Sequence, residues 1–130
     1  MKIRAHPRVL NPQGTAPHRA FRSRLRMQLA AGEITGFHDE AVKLKLADNP
    51  STFYTPDFVV YYPDGLTTCF EVKALWKGRD GAPDKAGYRD DARTKVRIAA
   101  GLFPLWTFVV AASRAPWLEW QFEPLSAETT

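Results

Sequence analysis

Asp57, Glu71 and Lys73 lie within one stretch, "YTPDFVVYYPDGLTTCFEVKA" at residues 54 to 74, and are residue types that can hold a divalent cation and act on a phosphate. Two carboxylates set side by side repel each other unless positive charge lies between them. Lys73 supplies part of that charge, and a cation could supply the rest. Mg²⁺ suits a site of one or two carboxylates, a carbonyl oxygen and waters, open toward a phosphate. Such an ion lowers the pKa of a bound water and offsets charge at a transferring phosphoryl group, while a nearby lysine orients the water or stabilises the transition state. That set of roles is the chemistry of phosphodiester hydrolysis. The plainer alternative is a surface salt-bridge ladder on an ordinary hairpin, because a bare D…ExK pattern is common.

The turn between the two runs decides whether the carboxylates meet. With Pro63, Asp64 and Gly65 as a three-residue loop, Tyr62 pairs with Leu66, and the strands join residues whose numbers add to 128. Asp57 and Glu71 are such a pair, placed on one face with Cβ atoms roughly 4.5–5.5 Å apart. Lys73 shares that face, because side chains two apart on a strand point the same way. A two-residue Asp64-Gly65 turn would shift the register by one and send the carboxylates to opposite faces. Pro63 favours the longer loop.

The flanking sequence supplies the elements that must hold this hairpin. "HRAFRSRLRMQLAAG", from His18 to Gly32, predicts a first helix with Phe21, Leu25, Gln28 and Leu29 on one stripe and Arg22 and Arg26 on another. "FHDEAVKLKLAD" alternates at Val42, Leu44 and Leu46 and predicts a first strand. "FYTPDFVVYY" and "LTTCFEVKAL" predict the second and third, the former covered on both faces. Residues 76 to 89 read as a surface loop rich in Gly, Pro and charge. Asp90 and Asp91 open a second helix that Gly101 ends. "LWTFVVAA" at 105–112 predicts a buried strand and "WLEWQFE" at 117–123 a further one. The order is helix, three strands, helix, one or two strands, which packs as a mixed α/β sheet flanked by helices. Residues 1–17 form an expected lead-in, 18–124 one domain and 125–130 a tail.

Length and composition agree with one globular domain: 130 residues, 45% of them hydrophobic, with four Trp, four Tyr and eight Phe. The net charge of +4 is uneven. Residues 1 to 32 carry seven Lys or Arg and no acid, which suits contact with a polyanion or equally a solvated basic face. Cys69 is the single cysteine, so no intrachain disulfide forms. The start has no apolar stretch of signal-peptide length and no run spans a membrane, so a soluble cytoplasmic protein is expected.

Pro56-Asp57 and Glu71-Val72-Lys73, in the setting of "AAGEI", "EAVKLKLAD", "EVKALW" and "DDARTKVRIAA" before "FVVA", resemble the PD-(D/E)xK nucleases. More narrowly the chain is similar to phage and prophage proteins related to endonuclease I, of the Holliday-junction-resolving type. The resemblance runs from about His18 to about Phe122. It implies a restriction-endonuclease-like core of αβββαβ order and Mg²⁺-dependent, or Mn²⁺-dependent, endonuclease action on DNA, directed at branched or junction substrates. It implies Asp57 and Glu71 as metal ligands, the Val72 carbonyl as a third, and Lys73 as the catalytic lysine. Relatives commonly carry a glutamate near the start of the first helix that reaches the metal site, and the spacing puts His18 there. A histidine can bind Mn²⁺ or position a water but is a poor Mg²⁺ ligand. As a partly exposed helix-start residue His18 would have neither role. The departure motivates the alternative of a nuclease-like DNA-binding module, or an assembly scaffold, that does not cut.

Lys77, Arg79, Lys85 and Arg89 in the loop, with Arg93, Lys95 and Arg97 on the second helix, are candidate phosphate contacts, and Lys95 is the first choice because a basic residue recurs on that helix in similar nucleases. A solvated face balancing Asp90 and Asp91 is the alternative. Arg19, Arg22, Arg24 and Arg26 ring the first helix and cannot all face one duplex. Of the tryptophans, Trp76 lies beside the site and could stack on an unpaired base. DNA is the expected partner, no membrane is, and junction-resolving relatives imply a homodimer.

Overall fold

The structure is a computed structural model that describes residues 14–76, 85–86 and 90–127. Helix α1 spans Ala16–Ala30, two residues earlier than the spacing predicts. Pro17 accounts for the difference, since its fixed φ and missing N–H suit the first turn of a helix. The helix closes with a paired bond set, Gly32 N–H to the Leu29 carbonyl at 3.1 Å and Glu33 N–H to Gln28 at 2.9 Å. Gly32 sits at φ +78°, the left-handed conformation this ending requires. The buried face is His18, Phe21, Arg22 and Leu25. It is rotated from the predicted stripe, and Leu29 is exposed.

The main sheet has the order β1 (Gly36–Asp39), β4 (Phe58–Tyr61), β5 (Thr67–Trp76), β7 (Thr107–Ser113), β8 (Gln121–Leu125), with the short β6 (Lys85–Ala86) pairing the end of β5. Strands β5 and β7 run parallel and the other pairs antiparallel. A parallel pair needs a crossover, which helix α2 (Asp90–Leu102) provides. Strands β2 (Leu44–Asp48) and β3 (Ser51–Tyr54) form a separate two-stranded hairpin. Among the described residues the architecture is therefore a mixed α/β fold with a mixed sheet and two helices.

Six strands precede α2 among the described residues, where the sequence predicts three. Glu40, at φ +53°, ends β1, so the predicted first strand divides into β1 in the main sheet and β2 in the hairpin. The predicted second strand divides at Thr55-Pro56, where proline cannot donate to a ladder. The final two strands lie at 107–113 and 121–125, later than the predicted 105–112 and 117–123. The predicted lead-in and the loop after Trp76 lie for the most part outside the described residues.

Each sheet face buries its own core. On one, Val59, Cys69, Phe108 and Val110 pack with Val96 and Ala99 of α2 and with Leu44, Leu46 and Tyr54 of the hairpin. On the other, Phe58, Val60, Phe70, Val72 and Val109 pack with Phe21 and Leu25 of α1. Alternation along β5 thus sends odd-numbered side chains toward α2 and even-numbered ones toward α1. Burial pushes the Cys69 thiol up to about 12, so it packs as an apolar group. Among the described residues no helix is long and apolar enough to cross a membrane.

Candidate active site

The β4–β5 register is the one the three-residue loop demands: Phe58 pairs with Phe70, Val59 with Cys69 and Tyr61 with Thr67. Tyr62 N–H donates to the Leu66 carbonyl at 3.0 Å, Gly65 N–H to the Tyr62 carbonyl at 3.0 Å, and Gly65 takes φ +90°. One step beyond Phe58 the chain bends at Asp57. Its carboxylate reaches across instead, and Oδ2 accepts the Val72 N–H at 2.7 Å. Glu71 Oε1 accepts the Tyr54 hydroxyl at 2.7 Å, and Glu71 Oε2 lies 3.2 Å from Lys73 Nζ. The Glu71 and Lys73 side chains are only 12% and 21% exposed, less than a solvated surface ladder would leave them. Asp57, Glu71 and Lys73 therefore share one half-buried locus, with Val72 fixing the first of them through its amide.

Burial, and next the charge of Glu71, push Asp57 up to about 7, against weaker opposing effects of the Val72 N–H, His18 and Lys73. Burial and Glu71 also hold the Tyr54 phenol far above its ordinary range, so it stays a donor to Glu71. The sign for stability follows from the raised value. Unfolded, Asp57 loses its proton near 3.8; folded, it keeps it to about 7. Its contribution is complete below the unfolded value and is lost as pH rises through the folded one. Thermal unfolding in EDTA is therefore expected to show a wild-type deficit relative to Asp57→Asn that grows between pH 4 and 8 to a few kcal/mol at most. Mg²⁺ at pH 8 is expected to narrow it by stabilising the wild type. A deficit that does not change with pH contradicts the assignment.

A second polar group adjoins the first. His18, 6% exposed, packs its ring 4.6 Å from Phe58. Its Nε2 lies 3.1 Å from Asp39 Oδ1 and 3.4 Å from Glu40 Oε2. Arg22, also buried, donates its Nε to Asp39 Oδ2. Burial alone would raise Asp39, but hydrogen bonds from Arg22 and His18, with their charges, outweigh it and hold the carboxyl below its ordinary range. The Glu40 N–H donates to the Asp57 carbonyl at 2.9 Å, tying this group to the carboxylate pair. One ligand atom each from His18, Asp39 and Glu40 lie within 4.8 Å of one another, an arrangement that could hold a metal ion. His18 thus turns to the acids at the end of β1.

Of the candidate phosphate contacts, Lys77, Arg79 and Arg89 lie outside the described residues, and Lys85 is described only as a β6 backbone position opposite Trp76. Lys95 Nζ is 3.4 Å from the Phe53 carbonyl, beside the residue whose hydroxyl holds Glu71. Arg93 is paired with Glu123 of β8. Arg97 is half-buried and its Nε is buried without a hydrogen-bond partner among the described residues. Around α1, Arg22 is interior, Arg24 covers the Phe122 ring at 5.5 Å, and Arg26 is exposed.

Sequence reasoning missed Tyr54, Asp39, Glu40 and the inward role of Arg22. Tyr54 had a local signal, standing beside Phe53 three residues before Asp57, and "HDE" at 38–40 was visible as a polar cluster at a strand end. Compared with family models, curated proteins and solved structures, the chain gives no match.

Proposed function

We propose that this chain is a divalent-metal-dependent endodeoxyribonuclease that hydrolyses phosphodiester bonds with Asp57, Glu71 and Lys73. The observation that carries the reading is the hairpin register, which brings the Asp57 carboxylate, at the bend before β4, to one half-buried locus with the Glu71 carboxylate and the Lys73 amine of β5. The surrounding order, a helix, an antiparallel hairpin, a crossover helix and a parallel strand, supports a restriction-endonuclease-like core of the kind the PD-(D/E)xK resemblance implies.

The donor set fits Mg²⁺: adjoining hard oxygen ligands, with one carboxyl made reluctant to ionise by burial and by the charge of the other. Asp57 and Glu71 would hold the ion, with the Val72 carbonyl as a further oxygen donor and Mn²⁺ as a substitute. When bound it supplies Lewis-acid polarisation of the phosphate and a water of lowered pKa. The chain's own residues do the rest. Lys73 presents an ammonium to the phosphoryl oxygens, where negative charge grows in the transition state. The Val72 N–H fixes the Asp57 carboxylate and the Tyr54 hydroxyl fixes Glu71, so both are oriented before substrate arrives. Lys95 is a phosphate contact on the flank of the site. Branched DNA is the proposed substrate, and cutting opposed strands of a junction would use the two sites of a homodimer.

Tyr54→Phe removes one hydrogen bond and is expected to cost about 1 kcal/mol of stability. Cleavage is expected to slow roughly tenfold through a misplaced Glu71. Thermal melts and single-turnover rates check both.

A second reading rests on His18, which pairs with Asp39 and Glu40 and brings no acid from α1 to the carboxylate pair. On that reading the chain binds DNA without cutting it. Incubation with branched and linear DNA in Mg²⁺, Mn²⁺ or EDTA separates the two. Cleavage lost in EDTA is expected; binding without cleavage in either metal selects the second reading, and neither binding nor cleavage leaves an assembly scaffold.

A further inference from the structure

We propose that the cleft at the carboxyl ends of β5 and β7 receives one unpaired nucleobase beside the scissile phosphate. The inference rests on the nuclease reading and says what that site requires of its DNA. The cleft encloses about 500 Å³ and is lined by Leu75, Arg114, Pro116, Leu118, Trp120 and Gln121, among others. That volume lies in the range of roughly 300–1,000 Å³ found for pockets that bury a small ligand.

Its position follows from the sheet. Lys73 pairs with Ala112 and Ala74 with Ser113 in the parallel ladder, so β5 and β7 end side by side and the chain leaves β7 at Arg114. Leu75 follows Lys73 by two residues on the same face of β5, a step of roughly 7 Å. The cleft therefore begins next to the catalytic lysine, at the end of a parallel strand pair where open α/β sheets place their ligands.

The lining suits a base better than a phosphate chain alone. Leu75, Pro116, Leu118 and Trp120 offer apolar and aromatic surface for a flat ring, and Arg114 and Gln121 offer hydrogen-bonding groups for a base edge or its phosphate. The wall between Arg114 and Gln121 is held in shape. Ser113 Oγ donates to the Glu119 carbonyl at 2.5 Å, Trp117 N–H donates to the Arg114 carbonyl at 2.7 Å, and Trp120 meets Phe21 with ring centroids 5.0 Å apart. Trp117 adopts φ +66°, a conformation costly for a bulky residue and characteristic of functional loops. Leu118 follows it on the rim, 78% exposed. A base within a duplex enters only after unpairing and unstacking, which costs about a few kcal/mol, whereas an unpaired one at a branch point or flap is spared most of that cost. The cleft would thereby select branched over fully paired DNA.

The test uses the full chain with Ca²⁺ in place of Mg²⁺, and 2-aminopurine placed either unpaired at a branch or paired within a duplex of the same length. Wild-type protein is expected to bind the branched probe roughly tenfold more tightly than the paired one and to change 2-aminopurine fluorescence only in the branched probe. Leu118→Glu and Arg114→Gln, both at exposed positions, are expected to bring the affinity ratio toward one. Equal affinity of the wild type for both probes, or an unchanged ratio in both variants, overturns the inference while leaving a nuclease that ignores DNA structure. Failure to bind either probe overturns the inference and the nuclease reading together.

Discussion

Replacing Lys73 with methionine is expected to lower metal-dependent DNA cleavage by roughly 10³-fold, through kcat rather than KM. The ammonium sits 3.2 Å from Glu71 on a side chain that is 21% exposed, a partly desolvated setting in which a charge is worth more than in water. Removing one preorganised electrostatic group costs about 10²–10³ in rate in well-studied enzymes. Lys73 also offsets the Asp57–Glu71 repulsion, which adds to its expected effect. An interaction made only in the transition state lowers kcat and kcat/KM together. Methionine keeps most of the aliphatic stem, so the fold should survive. Single-turnover rates at saturating DNA check the prediction, and a drop confined to KM would make Lys73 a binding residue.

Arg22→Ala is expected to have the largest effect on stability, a loss of about 2–3 kcal/mol, because Asp39 is partly exposed and keeps His18 beside it. The guanidinium is buried and bonded to Asp39, whose other oxygen faces His18. Truncation strips Asp39 of its main partner and empties space beside Phe21 and Leu25 on the buried face of α1. The Asp39 contribution is present above the ordinary carboxylate pKa and is lost as the pH falls through its depressed folded value, so the gap between wild type and variant is expected to shrink in acid. Adding Asp39→Asn to Arg22→Ala should recover part of the loss, because the stranded charge is then gone. Thermal melts of the two variants and their combination at pH 7 and at a pH well below 3.8 form the check. Simple additivity of the two substitutions would show that the pair is not coupled.

The hairpin was the most legible part of the chain because its determinants are local. Proline, aspartate and glycine at 63–65 specify the loop, the loop specifies the register, and the register puts Asp57 against the 71–73 segment. Helix α2 and the buried β7 were legible for a similar reason, in that acids, apolar spacing and β-branched content all act over a few residues. The polar group at His18 was not. Its partners Asp39 and Glu40 come from the end of a strand some twenty residues away, and Arg22, on the stripe it shares with Arg26, looks like a surface residue until that strand is in place. The split of the predicted first strand turned on the left-handed conformation of Glu40, a residue type with no special preference for it. Tyr54 reaches Glu71 only because β2 and β3 fold back as a separate hairpin over that face of the sheet.

Metal binding at the carboxylate pair is the claim on which the catalytic reading stands. Titration of Mn²⁺ into the 130-residue chain at pH 8, followed by the loss of the free-ion electron paramagnetic resonance signal, measures it without DNA. Wild-type protein is expected to bind the ion, and both Asp57→Asn and Glu71→Gln are expected to weaken that binding at least tenfold while His18→Ala leaves it detectable. Binding that survives in both carboxylate variants and disappears in His18→Ala would place the ion at His18, Asp39 and Glu40 instead, and would contradict the assignment of Asp57 and Glu71 as the metal site.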